Sequence, residues 1–365
     1  MSKSKLTQTV ALINLGIANG QQIGALLYIS QNNHVVADLA FGSAGNGNPM
    51  APDALSLWMS AGKPLTAAAI LQLQEAGKLS VDDPVVRFIP GFAEHGKESI
   101  TLRHLLTHTA PLRQGDLVPP QPWDDTIKAL CRVRMEPGWV PGKKAAYHVG
   151  GTWYLLGEVV RRASGLPLGD YLREKIFHPL GMSHSFLGLD AEALKQNLDK
   201  LVLIYQTEKP PPSPHRIWSR PEILAQPRPG SNCLGPAAEL GRFYEALLDG
   251  GRGILKPETV ELMTRRHREG MMDHTFRHVL DTGLGVILNS NRYGAETVPY
   301  GYGRFASEET FGHCGNQCSA AFADPQHKLV VVLIYNGMPG EAAHQTRARE
   351  ALSAIYLDLG LATLT

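Results

Sequence analysis

Strand-like segments lie near both ends of this 365-residue chain, and a long helical stretch separates them. Residues 24–30 and 34–41 read as two strands joined by a turn at Gln31-Asn32-Asn33. Near the other end, Leu329–Tyr335 is apolar throughout and has the length and branched residues of a buried strand. Strands at both ends with helices between them predict one antiparallel sheet built from both ends of the chain, with a helical domain inserted in it.

The other segments fit this plan. Helical periodicity covers residues 6–18, 63–75, 102–107, 124–133, 152–163, 168–176, 236–248, 257–265 and 342–357, and further strands are predicted at 284–288 and 320–323. A Pro-rich stretch within 209–230 predicts an extended surface loop. We therefore predict an α/β sheet domain from residues 1–83 and 280–365, a mainly helical domain from 84–279, and a functional site in the cleft between them.

Composition narrows the function classes. The formal charge of +1 gives no electrostatic reason to expect nucleic acid or an anionic membrane as a partner. No apolar run approaches the roughly 18–20 residues that span a bilayer, and the polar first residues lack the apolar core of a secretory signal. Four scattered cysteines are too few for a disulfide scaffold and predict free thiols. We expect a soluble, cytoplasmic protein.

The tetrad Ser60-Ala61-Gly62-Lys63 places a hydroxyl and an amine one helical turn apart at the head of an apolar segment. Residues three apart on a helix share a face, so the Lys63 amine can reach the Ser60 oxygen. A serine hydroxyl becomes a nucleophile when a neighbouring base takes its proton, and burial can lower the pKa of a lysine enough for that task. The alternative is a serine that caps the helix beside a solvated lysine.

Pro64 constrains where this helix begins. Proline disfavours helical angles at the preceding residue and removes one N–H, which is tolerated only in the first turn of a helix. Ser60 is therefore predicted at or near a helix N-terminus, where free N–H groups and the helix dipole favour negative charge. The same tetrad pattern at Ser2-Lys3-Ser4-Lys5 has no such context, and no function is assigned to it.

Six separated motifs occur in order along the chain: Ser60-Ala-Gly-Lys63, Leu102-Arg-His-Leu-Leu-Thr-His108-Thr, Pro141-Gly142 followed by Tyr147, Leu155-Leu-Gly157, Ile176-Phe-His-Pro-Leu-Gly-Met182 and Gly312-His313-Cys314-Gly315. Together they resemble the serine β-lactamase-like family, in the branch that holds class C β-lactamases, D-alanyl-D-alanine peptidases, family VIII esterases and related acyltransferases. The resemblance runs from about residue 8 to 360 and implies a β-lactamase/transpeptidase-like fold.

The resemblance implies roles for individual residues. Ser60 would accept the acyl group, Lys63 would help to deprotonate it, and Tyr147 would carry the proton to the leaving group. A Lys63 ammonium nearby would lower the pKa of Tyr147 below its usual value near 10. The backbone N–H groups of Ser60 and Asn316 would form the oxyanion hole, worth on the order of 3–4 kcal/mol for each donor.

The family has three catalytic motifs, of which Ser60-Ala-Gly-Lys63 would be the first, Tyr147-His148-Val149 the second and His313-Cys314-Gly315 the third. The third motif would supply substrate contacts. His313 would line the site, although packing within the strand is the alternative, and Gly315 would let substrate lie along the strand. In the second motif, Tyr147-His148-Val149 departs from the Tyr-x-Asn of lactamases and peptidases. His148 and Val149 are candidate substrate contacts, but an apolar Val149 cannot hydrogen-bond a substrate amide.

Metal chemistry is not supported by the spacing of the candidate ligands. His104 and His108 lie four residues apart but have no third ligand or HExxH motif, so we interpret them as packing residues. Cys314 and Cys318 have no second ligand pair, and Cys318 is expected either to narrow the pocket or to pack beneath it. We predict no metal and no organic cofactor.

The sequence thus predicts a serine hydrolase that forms an acyl-enzyme on a small ester-like substrate. The alternatives are an acyltransferase that passes the acyl group to an alcohol or amine, a β-lactamase or D-aminopeptidase, and a non-catalytic binding protein of the same fold. A small acyl substrate is the only partner implied, and the oligomeric state stays open.

Overall fold

The computed structural model describes residues 6–118 and 121–363. The tetrad pattern at residues 2–5 lies outside the described residues. Within them, no helix has both the length and the apolar character needed to cross a membrane. All four cysteines are buried free thiols, as predicted.

The helices and strands, each numbered in chain order, have the following bounds. The helices are α1 (Thr7–Ala18), α2 (Lys63–Glu75), α3 (Leu102–Leu106), α4 (Trp123–Arg132), α5 (Gly151–Ser164), α6 (Leu168–Leu172), α7 (Ala191–Gln196), α8 (Pro221–Leu224), α9 (Ala237–Leu248), α10 (Pro257–Thr264) and α11 (Glu341–Asp358). The strands are β1 (Gly24–Gln31), β2 (His34–Gly42), β3 (Ser56–Leu57), β4 (Phe186–Leu187), β5 (Tyr205–Gln206), β6 (Ser213–Pro214), β7 (Cys233–Gly235), β8 (Met272–Asp273), β9 (His278–Val279), β10 (Ile287–Leu288), β11 (Phe311–Gly315), β12 (Ser319–Asp324), β13 (Leu329–Tyr335) and β14 (Gly337–Met338).

The main sheet joins both ends of the chain, which confirms the predicted architecture. Its strand order is β10-β11-β12-β13-β1-β2, and every neighbouring pair is antiparallel. The central pairing matches Ala25 with Tyr335 and Gln31 with Leu329. Because these partners are about 300 residues apart in sequence, the sheet closes around the helical middle of the chain.

Two predicted strand features differ from the structure. Residues 284–288 form a strand only at Ile287–Leu288, because Gly285 has φ +76° and its Cα lies close to Ala67 of α2. Strand β11 was implied only by the family resemblance and not by the residue pattern, since its Phe-Gly-His-Cys-Gly sequence lacks β-branched residues. This missed strand is the one that borders the site.

Helix α2 lies at the centre of the molecule. Every residue from Lys63 to Leu71 is buried, so the helix is surrounded by protein on all sides over its first half. One apolar cluster links it to α5 through Trp153, to α9 through Phe243 and to β13 through Val332. Burial of this kind contributes roughly 25 cal/mol per Å² of apolar surface and holds the first turn of α2 in a fixed position. The boundaries proposed for the two domains stay a prediction.

Candidate active site

Ser60 lies in a short 3₁₀ helix, Met59–Gly62, that leads directly into α2. Met59 has φ 52°, a left-handed conformation that costs a non-glycine residue on the order of 1–3 kcal/mol. Packing of Met59 among buried residues such as Leu57 and Cys318 holds the turn in place. Position 62 has room only for glycine, because a Cβ there would lie 2.6 Å from the Cβ of Cys233.

Lys63 is fully buried, and its amine has three oxygen partners. Nζ lies 2.9 Å from Ser60 Oγ, 2.8 Å from the carbonyl oxygen of Val149 and 2.6 Å from that of Gly230. Ser60 makes no side-chain cap on α2, and Lys63 is not solvated, so the alternative of a capping serine beside a surface lysine does not describe this pair. Burial lowers the pKa of Lys63 to about 7.

These contacts suit a neutral amine as a base. A neutral amine has two N–H donors and one lone pair, and the two carbonyl oxygens each accept one N–H. The remaining lone pair is then directed at the Ser60 hydroxyl, which can donate its proton to it. The ammonium form instead donates to all three oxygens and cannot accept that proton.

Tyr147 lies beside this pair. Its ring centroid is 5.3 Å from Lys63 Nζ, its side chain hydrogen-bonds Ser60, and its ring packs against His108 at 4.6 Å and Phe276 at 4.8 Å between centroids. Burial raises the pKa of Tyr147, and the hydrogen bond with Ser60 only partly opposes this. The expectation that Lys63 lowers this pKa is therefore wrong: desolvation of the enclosed phenol dominates, so Tyr147 is a protonated phenol that can donate.

Two carboxylates that the sequence did not single out hold the second motif in place. Asp116 accepts from the backbone N–H groups of Val149, Gly150 and Gly151 at 2.8 to 2.9 Å. Asp273 accepts from the N–H of Tyr147 at 3.1 Å and pairs with the buried Arg268 at 2.8 Å. Asp116 lies in a short 3₁₀ helix, Arg113–Leu117, and Asp273 ends the two-residue strand β8; neither belongs to a spaced motif, so no local signal distinguishes them from surface charges.

The third motif lies on β11 and the turn that follows. Asn316 and Ser60 line the same two cavities, and within the described chain neither of their backbone N–H groups donates a hydrogen bond to protein. Gly315 lines neither cavity. A Cβ on Gly315 would lie 2.6 Å from both the Met59 Cβ and the Trp58 carbonyl oxygen, so this glycine lets β11 approach the turn that carries Ser60. The structure thus shows a packing role for Gly315, and its predicted contact with substrate stays a prediction.

The two histidines predicted to contact substrate differ in position. His313 borders the larger cavity, and its Nδ1 lies 2.8 Å from the Cys314 carbonyl oxygen, while its Nε2 has no partner among the described residues. Burial lowers the pKa of His313 to about 3, so the ring is neutral. His148 is fully buried, stacks at 5.6 Å on His108 and lines neither cavity, so its predicted substrate contact is corrected. Cys318 packs beneath the site and does not narrow it.

Two cavities meet at Ser60. The larger, of about 600 Å³, is lined by Tyr147, His313, Phe276, Tyr300 and Glu341 among others. The smaller, of about 210 Å³, is lined by Asp116, Leu130, Tyr154, Trp218 and Arg228 among others. Ser60, Val149 and Asn316 border both. A carbonyl carbon at Ser60 could thus direct its two substituents into separate spaces.

The described parts of the chain contain no cluster of histidine, cysteine or carboxylate side chains that could hold a metal ion. The chemistry available at the junction of the cavities is that of a buried hydroxyl, an amine with a pKa near neutrality, a phenol and two free backbone N–H groups. This set can activate a nucleophile, donate a proton to a leaving group and stabilise an oxyanion.

Comparison with known proteins gives consistent matches. A family model described as Beta-lactamase matches residues 9–355. Esterase EstB of Burkholderia gladioli is 25% identical over 385 residues, which cover 90% of this chain and 91% of the esterase. A putative D-alanyl-D-alanine carboxypeptidase of Escherichia coli K12 is 25% identical over 302 residues, covering 74% of this chain and 66% of that relative.

Among solved structures, a protein described as EstCE1, a hydrolase with promiscuous acyltransferase activity, superposes with a TM-score of 0.80 at 22% identity. The superposition covers 96% of this chain and 98% of that one. The fold is therefore of the β-lactamase/transpeptidase type, with an antiparallel sheet flanked by helices.

Proposed function

We propose, from the premise that this chain belongs to the Beta-lactamase family, that it is a serine esterase acting through an acyl-enzyme intermediate. The family consists of serine hydrolases such as esterases, peptidases and acyltransferases. The observation that carries the proposal is the Lys63 amine, which is buried, has a pKa of about 7 and lies 2.9 Å from Ser60 Oγ.

The proposed reaction begins with the transfer of the Ser60 proton to neutral Lys63. Ser60 Oγ bonds to the ester carbonyl carbon, and the backbone N–H groups of Ser60 and Asn316 hydrogen-bond the oxyanion that forms. The carbon–oxygen bond to the leaving group then breaks. Tyr147 donates its proton to the departing alkoxide and regains one from the Lys63 ammonium. In the second half of the reaction, a water molecule gives a proton to neutral Lys63 while its oxygen bonds to the acyl carbon. The bond between that carbon and Ser60 Oγ then breaks, Tyr147 donates its proton to Ser60 Oγ and regains one from the Lys63 ammonium, and the carboxylic acid leaves.

The roles of the two cavities follow from the position of the proton donor. Tyr147 lines the larger cavity and does not line the smaller one. The leaving group, which receives the phenol proton, therefore lies in the larger cavity, and the acyl chain lies in the smaller one.

Two features of the site favour esters over amide or lactam substrates. Val149 borders both cavities with an apolar side chain at the place where a substrate amide would need a hydrogen-bonding partner.

Glu341 is the only carboxylate among the described residues that line the larger cavity, and no lysine or arginine accompanies it there. Tyr300 donates its hydroxyl to Glu341 at 2.9 Å and holds it at this wall. A leaving group that carries a carboxylate, as in a C-terminal peptide, would meet like charge.

The charge of Glu341 gives the first prediction. Wild-type protein is expected to hydrolyse meta-acetoxybenzoate more slowly than the neutral meta-acetoxybenzamide, and Glu341→Gln is expected to reduce that difference about 3- to 10-fold, since it removes a like charge from the cavity. The measurement is kcat/KM for both esters. Glu309→Gln, which changes the net charge equally at an exposed position outside both cavities, is the control. If Glu341→Gln and Glu309→Gln reduced the difference between the two esters equally, the effect would come from the net charge of the protein and not from Glu341 in the cavity.

The proposal as a whole is tested by trapping the intermediate. Incubation of the protein with a short p-nitrophenyl ester is expected to release p-nitrophenol and to add the acyl mass to the intact protein, and peptide mapping should locate that mass on Ser60. Absence of hydrolysis and of any adduct, also with a serine-reactive phosphonate, would support a non-catalytic binding protein instead.

Acyl transfer is the second candidate function. The larger cavity, of about 600 Å³, has room for an acceptor alcohol after the first leaving group has departed. The similarly folded EstCE1 is described as having promiscuous acyltransferase activity. An acyltransferase would form a new ester when an alcohol is added and would release little free acid, whereas an esterase would release acid in proportion to p-nitrophenol.

A further inference from the structure

Arg228 is a buried cation with no carboxylate partner. The residue as a whole is 8% exposed, and both Nε and Nη2 donate to one neutral acceptor, Gln226 Oε1, at 2.9 and 2.7 Å. Within the described residues, no carboxylate pairs with the guanidinium and Nη1 donates no hydrogen bond. A guanidinium keeps its charge at neutral pH even when burial lowers its pKa, as it does here. Buried charges are normally paired, because an unpaired one is strongly unfavourable.

The position of Arg228 suggests what completes the pair. Arg228 lines the smaller cavity together with Ser60. It belongs to the same loop as Gly230, whose carbonyl oxygen accepts from Lys63 at 2.6 Å, so the guanidinium is held at a fixed position relative to the catalytic amine. Since the acyl chain occupies this cavity, its far end is the group of the substrate that can reach Arg228.

One carboxylate, Asp116, also lines the smaller cavity. Its two oxygens already accept three backbone N–H groups, those of Val149, Gly150 and Gly151. These donors anchor its carboxylate to the loop, and within the described residues it forms no ion pair with Arg228. The guanidinium of Arg228 therefore has no carboxylate in contact with it among the described residues that line this cavity.

We propose that Arg228 binds a terminal carboxylate on the acyl group, so that the preferred substrates are monoesters of dicarboxylic acids. This inference rests on the proposed esterase function and on the assignment of the smaller cavity to the acyl chain. A guanidinium pairs with a carboxylate through two parallel hydrogen bonds, and Nη1 and Nη2 offer such an edge. Leu130, Tyr154 and Trp218 supply apolar surface for the methylene chain between the two ends.

The test compares two esters of equal shape. One is p-nitrophenyl hydrogen adipate, and the other is the p-nitrophenyl ester in which an isopropyl group replaces the terminal carboxylate. Wild-type protein is expected to prefer the adipate by at least about tenfold in kcat/KM, and Arg228→Gln is expected to lower the ratio of the two kcat/KM values by about 10- to 100-fold. Adipate is chosen because its carboxylate is too far from the ester carbonyl for the rapid intramolecular attack seen in shorter homologues.

Two further variants make the result specific. Arg228→Lys keeps the charge without the planar guanidinium and should retain part of the preference. Arg216→Gln removes an exposed arginine of the preceding loop and should leave the ratio unchanged. If wild-type protein hydrolyses both esters equally, or if Arg228→Gln slows both by the same factor, the carboxylate subsite is refuted while the esterase function stands. If neither ester is hydrolysed and no adduct forms, the esterase function fails and the subsite fails with it.

Discussion

Ser60→Ala is expected to lower kcat/KM for ester hydrolysis by about ten-thousand-fold or more and to abolish the covalent acyl adduct. Alanine removes the oxygen that forms the new bond to the acyl carbon, whereas the cavities and the oxyanion donors stay in place. Loss of a nucleophile in a serine hydrolase has effects of this size, and the residual rate reflects binding and oxyanion stabilisation alone. The measurements are steady-state kinetics on a p-nitrophenyl ester and intact-protein mass spectrometry.

The chain offers an internal control for this experiment. Ser2 begins the other copy of the tetrad pattern, Ser2-Lys3-Ser4-Lys5. Because that copy lacks the accompanying motifs, Ser2→Ala is expected to leave both the rate and the adduct unchanged. An acyl mass that appears equally in wild type and Ser60→Ala would show that another residue accepts the acyl group.

Lys63→Met is expected to lower kcat/KM by about 100- to 10,000-fold, the usual contribution of a general base. In wild-type protein, kcat/KM should rise about tenfold for each pH unit below 7 and level off above it. The sign follows from the depressed pKa of about 7: the ammonium that predominates below this pH cannot accept the Ser60 proton, whereas the neutral amine that predominates above it can. The measurement is the pH profile of kcat/KM between pH 5 and 9, on the order of two units on either side of that pKa.

Lys97 provides a matched control for this substitution. It is the other fully buried lysine of the described chain, and its amine also donates to two backbone carbonyl oxygens, those of Cys131 and Val133. Neither Lys97 nor these two partners line either cavity at Ser60. Lys97→Met is expected to lower thermal stability, because two buried carbonyl oxygens lose their donor, but to preserve the shape of the pH profile. A flat wild-type profile from pH 5 to 9 would contradict the assignment of Lys63 as the base, because the profile of a base with a pKa near 7 must change within that range.

Local pattern predicted much of the fold. The bounds of α2 and β13 agree with the prediction, and α1, β1 and β2 differ from it by about one residue. Periodicity of apolar residues and turn-forming residues act within a few positions, so they can be read without knowing what packs against them. A local pattern cannot show a strand that depends on distant contacts. The residue pattern missed β11 because its strand conformation depends on pairing with β12 and on close approach to the Ser60 turn, not on its own residues.

The sequence by itself determined the nucleophile and its neighbour, because Ser60 and Lys63 are three residues apart and helical geometry brings such residues together. Tertiary structure decided how they act. The carbonyl oxygens that orient the Lys63 amine belong to residues 86 and 167 positions away, and every residue has such an oxygen, so no local pattern marks them. Enclosure by the surrounding protein shifts the pKa values of Lys63 and Tyr147, and it also leaves Arg228 facing a cavity with no carboxylate paired to it among the described residues. Desolvation depends on everything packed around a group, and only the folded chain defines that environment.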